Sequence, residues 1–277
     1  MSQQPPAPIL PKPSPSSLIL TFYGAYGRAF PSGTVPVAAL IRLLGAAGVD
    51  APSVRSAVSR LKRRGLLTAD RPGSKAAGYA PSAAARQLLD DGDRRVYDRP
   101  VPDGRWLLAV FSVPESERER RHVLRSRLAR LGFGNAAPGI WVAPSHLEEE
   151  TRHSLHRLGL TPYVDLFLGT HEGFEPTAAA VARWWDLESI AALHRSFLTV
   201  HEPVLRSWSG RRRVPPEEAY RDYLPALDAW RHLPYADPGL PGSLLPADWP
   251  GERSAEVFFA LDAKLRDPGG EHAARLA

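Results

Sequence analysis

Residues 52–64 read PSVRSAVSRLKRR, and the pattern inside this stretch sets how the rest of the chain is interpreted. At 100° per residue, Val54, Ala57, Val58 and Leu61 fall on one side of a helix. Ser56, Ser59, Arg60 and Arg63 point the other way, with Arg55 and Lys62 on one shoulder and Ser53 in the first turn. No acidic residue lies between Pro52 and Asp70. The outer face therefore offers guanidinium forks that fit guanine edges or phosphates. It also offers short hydroxyls that permit close approach to a backbone.

The flanking residues extend the pattern on both sides. Upstream, Val37, Leu40, Ile41 and Leu44 stand at i, i+3, i+4, i+7, the apolar stripe of a second helix that begins after Pro36. Gly48 can end that helix and Asp50 can cap the next, which leaves the short turn a helix-turn-helix needs. Earlier still, Ser17 to Tyr26 reads as a first helix with Leu18, Ile19 and Phe22 inward, broken by Pro31 to Thr34. Downstream, Gly65 to Asp70 and Ala76 to Pro81 read as two short strands. Arg71-Pro-Gly-Ser-Lys75 turns between them with a cation on each side. Three helices followed by a basic-tipped hairpin is the winged helix-turn-helix order. The candidate DNA-binding set is Ser53, Arg55, Ser56, Ser59, Arg60, Lys62, Arg63, Arg71 and Lys75. A small helical domain with a solvated basic face is the competing reading of the same residues.

Charge supports the polyanion reading. Residues 1–100 hold 14 Lys+Arg against 6 Asp+Glu, and the remainder 21 against 24. A basic first third attached to a mildly acidic body suits a partner whose phosphates release counterions on binding. The 277 residues allow two or three domains, and 43% hydrophobic with 23% charged residues is an ordinary globular balance. No run is long and apolar enough to span a bilayer, and the first residues lack a secretory pattern. Residues 1–16, rich in Pro, Gln and Ser, read as a disordered arm. With no cysteine, thiolate and disulfide chemistry is excluded, and a cytoplasmic setting is favoured.

The body after residue 97 begins with a linker, Asp98 to Gly104. Next come a strand at 105–113, a helix at 115–131 with Val123, Leu124, Leu128 and Leu131 inward, and a strand at 139–143. A helix at 147–158 and a strand at 163–168 complete the segment. This order suits a ferredoxin-like α/β sandwich. From Glu175 onward the pattern is helical, over 178–197, 217–232 and 254–265. It is rich in aromatic residues that suit either a core or a ligand pocket. The overall expectation is an α+β chain: a winged helix-turn-helix at 17–97, a ferredoxin-like sandwich at 98–174 and a helical effector and dimerisation domain at 175–277.

Val54-Arg-Ser-Ala-Val-Ser-Arg-Leu61 followed by Arg64-Gly-Leu-Leu67 resembles the helix-turn-helix of the phenylacetic acid degradation repressor (PaaX) family. Arg94-Arg-Val-Tyr97 resembles that family's link out of the winged helix, and Asp237-Pro-Gly-Leu-Pro241, Leu244-Leu-Pro246 and Asp248-Trp-Pro-Gly251 resemble its Asp-Pro-x-Leu-Pro, Leu-Leu-Pro and Trp-x-Gly run near the C-terminus. Arg231-His-Leu-Pro-Tyr-Ala236 departs from the more basic stretch expected before the Asp-Pro motif. The resemblance implies a homodimeric repressor that binds an inverted repeat in double-stranded DNA and is released by an aryl-acyl-CoA, phenylacetyl-CoA being the prototype. No cofactor is implied beyond that ester. It also implies a central segment similar to small CRISPR-associated nuclease-like domains, which carry a metal-binding Asp at the end of the first strand. Here Val110-Phe-Ser112-Val stands in its place, with no carboxylate.

Trp184, Trp185, Arg195, Tyr220, Tyr223, Trp230, Asp237 and Trp249 are the effector candidates, and Arg211-Arg-Arg213 offers cations to coenzyme phosphates. Glu149, His153 and His156 share a helix face, but exposed His on a charged helix is the commoner situation, so no metal is expected. There is no nucleophile elbow, phosphate-binding loop or dinucleotide fingerprint. The alternatives to a repressor are a nucleic-acid-processing enzyme on the ferredoxin-like domain and a CoA-ester-binding enzyme with a vestigial winged helix.

Overall fold

The computed structural model describes residues 10–30, 33–70, 78–98 and 100–276. The chain is mixed α+β with two small sheets. It divides into two compact units, neither of them a continuous block of sequence. The N-terminal unit comprises Ile9–Tyr97, Arg195–His232 and Glu252–Ala277. The central unit comprises Asp98–His194 and Leu233–Gly251. Residues 175–277, one helical block by composition, are shared between them.

In the N-terminal unit, α1 (Pro15–Tyr26) starts before the first apolar residues. The Ser14 side chain caps it, accepting from the Ser17 amide at 3.0 Å, and Pro15 sits in the first turn where its missing N–H costs nothing. The helix thus begins inside the arm expected over 1–16, of which residues 1–9 lie outside the described residues. β1 (Val35–Pro36), α2 (Val37–Ala46) and α3 (Ala51–Arg63) follow. Gly48, at φ 83°, makes the turn between the two helices in the left-handed region. β2 (Leu67–Asp70) and β3 (Gly78–Pro81) pair antiparallel, and β1 adds to the other side of β3, with Val35 opposite Tyr79. A strand of two residues has no alternation to read, so β1 was not foreseen. α4 (Ala83–Tyr97) was not foreseen either: only Ala85 and Val96 of it are buried, too few for a visible stripe.

The central unit is built on β4 (Trp106–Phe111), α5 (Arg118–Arg130), β5 (Gly134–Ala137), β6 (Ile140–Pro144), α6 (Glu148–Arg157) and β7 (Val164–Gly169). All strand pairs are antiparallel, in the order β5-β6-β4-β7. β5 reads GNAA and carries no strand signature; β6 recruits it through backbone pairing. One sheet face buries Leu107, Ala109 and Ala143 with Leu124, Leu128 and Leu155 of the two helices. Val123, expected inward, is 44% exposed, because Leu124 and Leu128 already make that contact. The opposite face packs Trp106 and Val142 against Val181, Trp185 and Leu240.

The single helix expected over 178–197 is two. α7 (Thr177–Trp184) ends at Trp185, and α8 (Leu187–Trp208) begins afresh. Asp186 caps α8, accepting from the Ser189 amide at 3.0 Å and its hydroxyl at 2.6 Å, and these bonds hold the carboxyl below its ordinary pKa. The extended Trp185 donates its indole N–H to the Gly132 carbonyl at 2.9 Å. A Cβ on Gly134 would lie 2.7 Å from that ring, so β5 needs glycine there.

α9 (Pro216–Trp230), α10 (Leu233–Ala236) and α11 (Gly251–Leu276) complete the chain. α11 runs through Pro268-Gly-Gly270, where the sequence pattern stops at 265. A Cβ at Gly269 would stand 3.2 Å from the Tyr220 Cα and 2.6 Å from the Tyr26 hydroxyl, so the glycine permits close packing of helices. α9 also anchors α1. Asp228, 1% exposed, accepts from the Ser17 hydroxyl and, at 2.6 Å, from Thr21 Oγ1; Arg231 donates to that same Thr21 oxygen at 2.8 Å.

Replacing Asp228 with Ala strands the buried Thr21 hydroxyl and the half-buried Ser17 hydroxyl and should cost about 2–4 kcal/mol of unfolding free energy in urea titrations. Asp228→Asn, which retains an acceptor, should lose less. His201, 5% exposed with its ring tilted against Phe197 at 4.7 Å, has its pKa lowered by burial to about 4. It stays neutral in the folded state and protonates more readily once unfolded. Its contribution is complete above about pH 6.5 and is lost as pH falls through about 4, amounting to about 3 kcal/mol. A His201→Leu variant should show a correspondingly flatter stability profile between those values.

Candidate nucleic-acid interface

α3 is set by both its ends. At the start, Asp50 accepts from the Ser53 amide at 2.9 Å and from the Ser53 hydroxyl at 2.7 Å. These bonds hold the Asp50 carboxyl below the usual carboxylate range. At the other end, the chain leaves through Gly65 at φ 69° into β2. Val54, Ala57, Val58 and Leu61 are buried, as their spacing requires. Arg55, Ser56, Ser59, Arg60, Lys62 and Arg63 are all exposed, and Arg64, which the sequence reading left out, adds a further exposed cation. Ser53 is half-buried and its hydroxyl is engaged in the cap, so it stands at the edge of this face rather than within it.

The electrostatics separate this helix from other arginine-rich surfaces. Arg28 pairs with Asp90 and Asp93, Arg253 with Glu202 and Glu256, Arg152 with Glu148, and Arg183 with Glu175. Among the described residues, Arg55, Lys62, Arg63 and Arg64 have no acidic partner. Arg60 makes one long contact, 3.5 Å to the Ser16 hydroxyl at the start of α1. A row of cations with no intramolecular counter-charge on a helix with a packed inner face can exchange condensed counterions for phosphates. Arg71 and Lys75 lie outside the described residues.

The effector candidates separate into two groups. Tyr220, Tyr223 and Trp230 belong to the N-terminal unit and are core side chains. Trp230 stacks on Phe258 at 4.7 Å and donates to the Val96 carbonyl at 3.0 Å. Tyr223 donates to Asp262, and Tyr26 packs on both tyrosines. Burial pushes the Tyr220 and Tyr223 phenols well above their ordinary range, so both remain neutral. Arg195 is exposed on α8 in the same unit. Trp184, Trp185, Asp237 and Trp249 belong to the central unit. Asp237 lies 3.0 Å from His194 Nε2 and accepts from the Gly239 amide at 2.9 Å, and Trp249 meets the His194 ring edge-on. In the Arg211–Arg213 run, Arg211 pairs with Glu218 and covers the Trp208 ring. Among the described residues no cluster of three His, Cys, Asp or Glu could hold a metal ion, and that includes Glu149, His153 and His156. No described helix is long and apolar enough to cross a membrane.

Residues 14–85 match the family model of PaaX-like proteins. Residues 99–181 match the PaaX protein central Cas2-like domain, and residues 185–275 the PaaX-like protein C-terminal domain. Transcriptional repressor PaaX of Escherichia coli (strain K12) is 27% identical over 258 residues, which span 90% of this chain and 79% of that protein. Among solved structures, the uncharacterized protein Rv0674 from Mycobacterium tuberculosis aligns with a TM-score of 0.58 at 20% identity, covering 94% of this chain and 99% of that one. That likeness speaks to the fold alone.

Arg60→Ala and Arg63→Ala should each weaken binding to the promoter DNA about tenfold or more in gel shifts and reduce its salt dependence, with circular dichroism unchanged. Arg253→Ala removes an exposed arginine that already has carboxylate partners, and should leave affinity unaltered. Wild-type affinity in both α3 variants would remove this face from the interface.

Proposed function

This chain belongs to the PaaX family, and from that premise we propose that it is a DNA-binding transcriptional repressor. The observation that carries the reading is the uncompensated basic face of α3, held on a capped helix inside the segment that matches the family's N-terminal model. We read residues 17–97 as a winged helix-turn-helix, supported by the order α1, α2, α3 and the β2–β3 hairpin. In this reading α3 enters the major groove and the hairpin lies along the backbone, bringing Arg71 and Lys75 to phosphates. We read residues 98–174 as a ferredoxin-like sandwich, supported by the β-α-β-β-α-β order and the strand order β5-β6-β4-β7. It serves as a scaffold rather than a nuclease, since Phe111-Ser112 at the end of β4 supplies no carboxylate for a metal.

A homodimer on an inverted repeat follows from the groove geometry, because two half-sites one helical turn apart call for a two-fold protein. The effector we propose is an aryl-acyl-CoA, with no catalytic turnover and a cytoplasmic setting. To change operator occupancy a hundredfold it must prefer the DNA-free arrangement by about 3 kcal/mol.

Two measurements test this. Light scattering should give twice the 30.4 kDa chain mass, free and on DNA. Phenylacetyl-CoA should bind in calorimetry and release promoter DNA in a gel shift, and it should remain unhydrolysed. A monomer on DNA overturns the dimer, and turnover of the ester overturns the non-enzymatic reading.

A further inference from the structure

The central unit holds a cavity of about 310 Å³ that the repressor reading does not use. Its apolar walls are Trp106, Pro102, Pro144, Pro241 and Leu244. These are flat or rigid surfaces, and Pro241 and Leu244 come from the C-terminal proline motifs that stood out in the sequence. The indole of Trp106 is held by the edge-on Trp184 at 5.8 Å, and the His171 ring stands against Trp184 at 5.1 Å. His171 Nδ1 is in turn 3.2 Å from the Thr177 hydroxyl. The walls are therefore fixed before any ligand arrives.

The rim of the same cavity is polar and has no acid in its lining. Ser243 and Thr177 bring hydroxyls, and Arg105 brings a cation. Asp103 clamps that arginine. Its Oδ2 accepts from Arg105 Nε and Nη2, each at 2.7 Å, and its Oδ1 accepts from the Arg105 amide at 3.0 Å and the Ser145 hydroxyl at 2.5 Å. The bond from Ser145, and then those from Arg105, hold the Asp103 carboxyl well below its usual range. One edge of the guanidinium, Nε with Nη2, is thus used for orientation. Its Nη1 donors have no partner among the described residues, and a planar donor pair of this kind suits a carboxylate or carbonyl oxygen.

We propose that this cavity beside Trp106 binds a planar aromatic acid, or the aryl-acyl end of its ester, with the ring between the prolines and Trp106 and the acyl oxygens toward Arg105. The volume lies at the lower end of the ~300–1,000 Å³ usual for small-molecule sites, so a bulky ester tail remains in solvent. The binding claim stands on the cavity; its regulatory meaning rests on the repressor reading.

Calorimetry on the full chain tests it, with phenylacetate, cyclohexylacetate and phenylacetyl-CoA as probes. The aromatic probes should bind at one site per chain, and the non-planar acid at least tenfold more weakly. Ser243→Trp, which fills the mouth from an exposed turn, should abolish binding. Arg105→Gln should weaken both acids about ten- to hundredfold and leave neutral phenylacetamide unaffected. Binding of every probe unchanged in both variants, or no binding of any aromatic probe to the wild-type chain, overturns the proposal. Gel shifts on the same variants distinguish the two readings. If phenylacetyl-CoA still releases DNA from Ser243→Trp, the cavity assignment fails and the repressor stands. If the probes bind in the cavity and DNA affinity does not change, the site stands and the effector reading fails.

Discussion

The N-terminal unit depends on one buried carboxylate. Asp228 sits at the inner end of α9 and accepts from Ser17 and Thr21, two hydroxyls one helical turn apart on α1. A carboxylate removed from water is tolerated only when its lone pairs are filled, so the contact is specific in a way that apolar packing is not. α1 packs on α3 as well as on α9. The side chain that fixes the first helix against the C-terminal helices therefore also fixes the support behind the basic face. Residues more than two hundred positions apart in sequence thus share responsibility for one surface.

Local chemistry then sets where each helix starts. Asp50-x-x-Ser53 and Asp186-x-x-Ser189 form the same cap: carboxylate to amide, carboxylate to hydroxyl. At α3 the cap aims the helix so that its apolar stripe meets α1 and its arginines face solvent. At α8 it restarts a helix that would otherwise run on from α7, which frees Trp185 to turn into the central unit and close over Gly134. Glycines serve close approach at Gly134 and Gly269, where a methyl group would collide with an indole or with a neighbouring helix backbone.

The basic face of α3 was legible because its information is local. A helical period, a capping aspartate and the absence of acids all lie within fifteen residues. The ligand-binding candidates were less legible, because aromatic side chains look alike in a core and in a pocket. Tyr220, Tyr223 and Trp230 turned out to be core, each surrounded by residues the sequence places far away. Trp106, Arg105 and His171, which surround the cavity, carry no periodic signal. The Asp103–Arg105 clamp shows only in the structure, and the proline motif at 237–246 marked one wall without saying what it faces.

By itself the sequence determined α1 to α3 and the hairpin that follows them, the α+β class, β4, β6, β7 and the two helices of the central segment, and the acid-free basic face of α3. These follow from side-chain periodicity and capping, which act over a few residues. Tertiary structure decided the rest. β1 and β5 exist because a neighbouring strand supplies hydrogen-bond partners to backbones with no strand preference of their own. α11 continues through Pro268-Gly-Gly270 because Tyr26 and Tyr220 pack where a side chain would stand. The C-terminal hundred residues are divided between two units because burial follows contact in space, and contact between distant segments leaves no mark on local spacing.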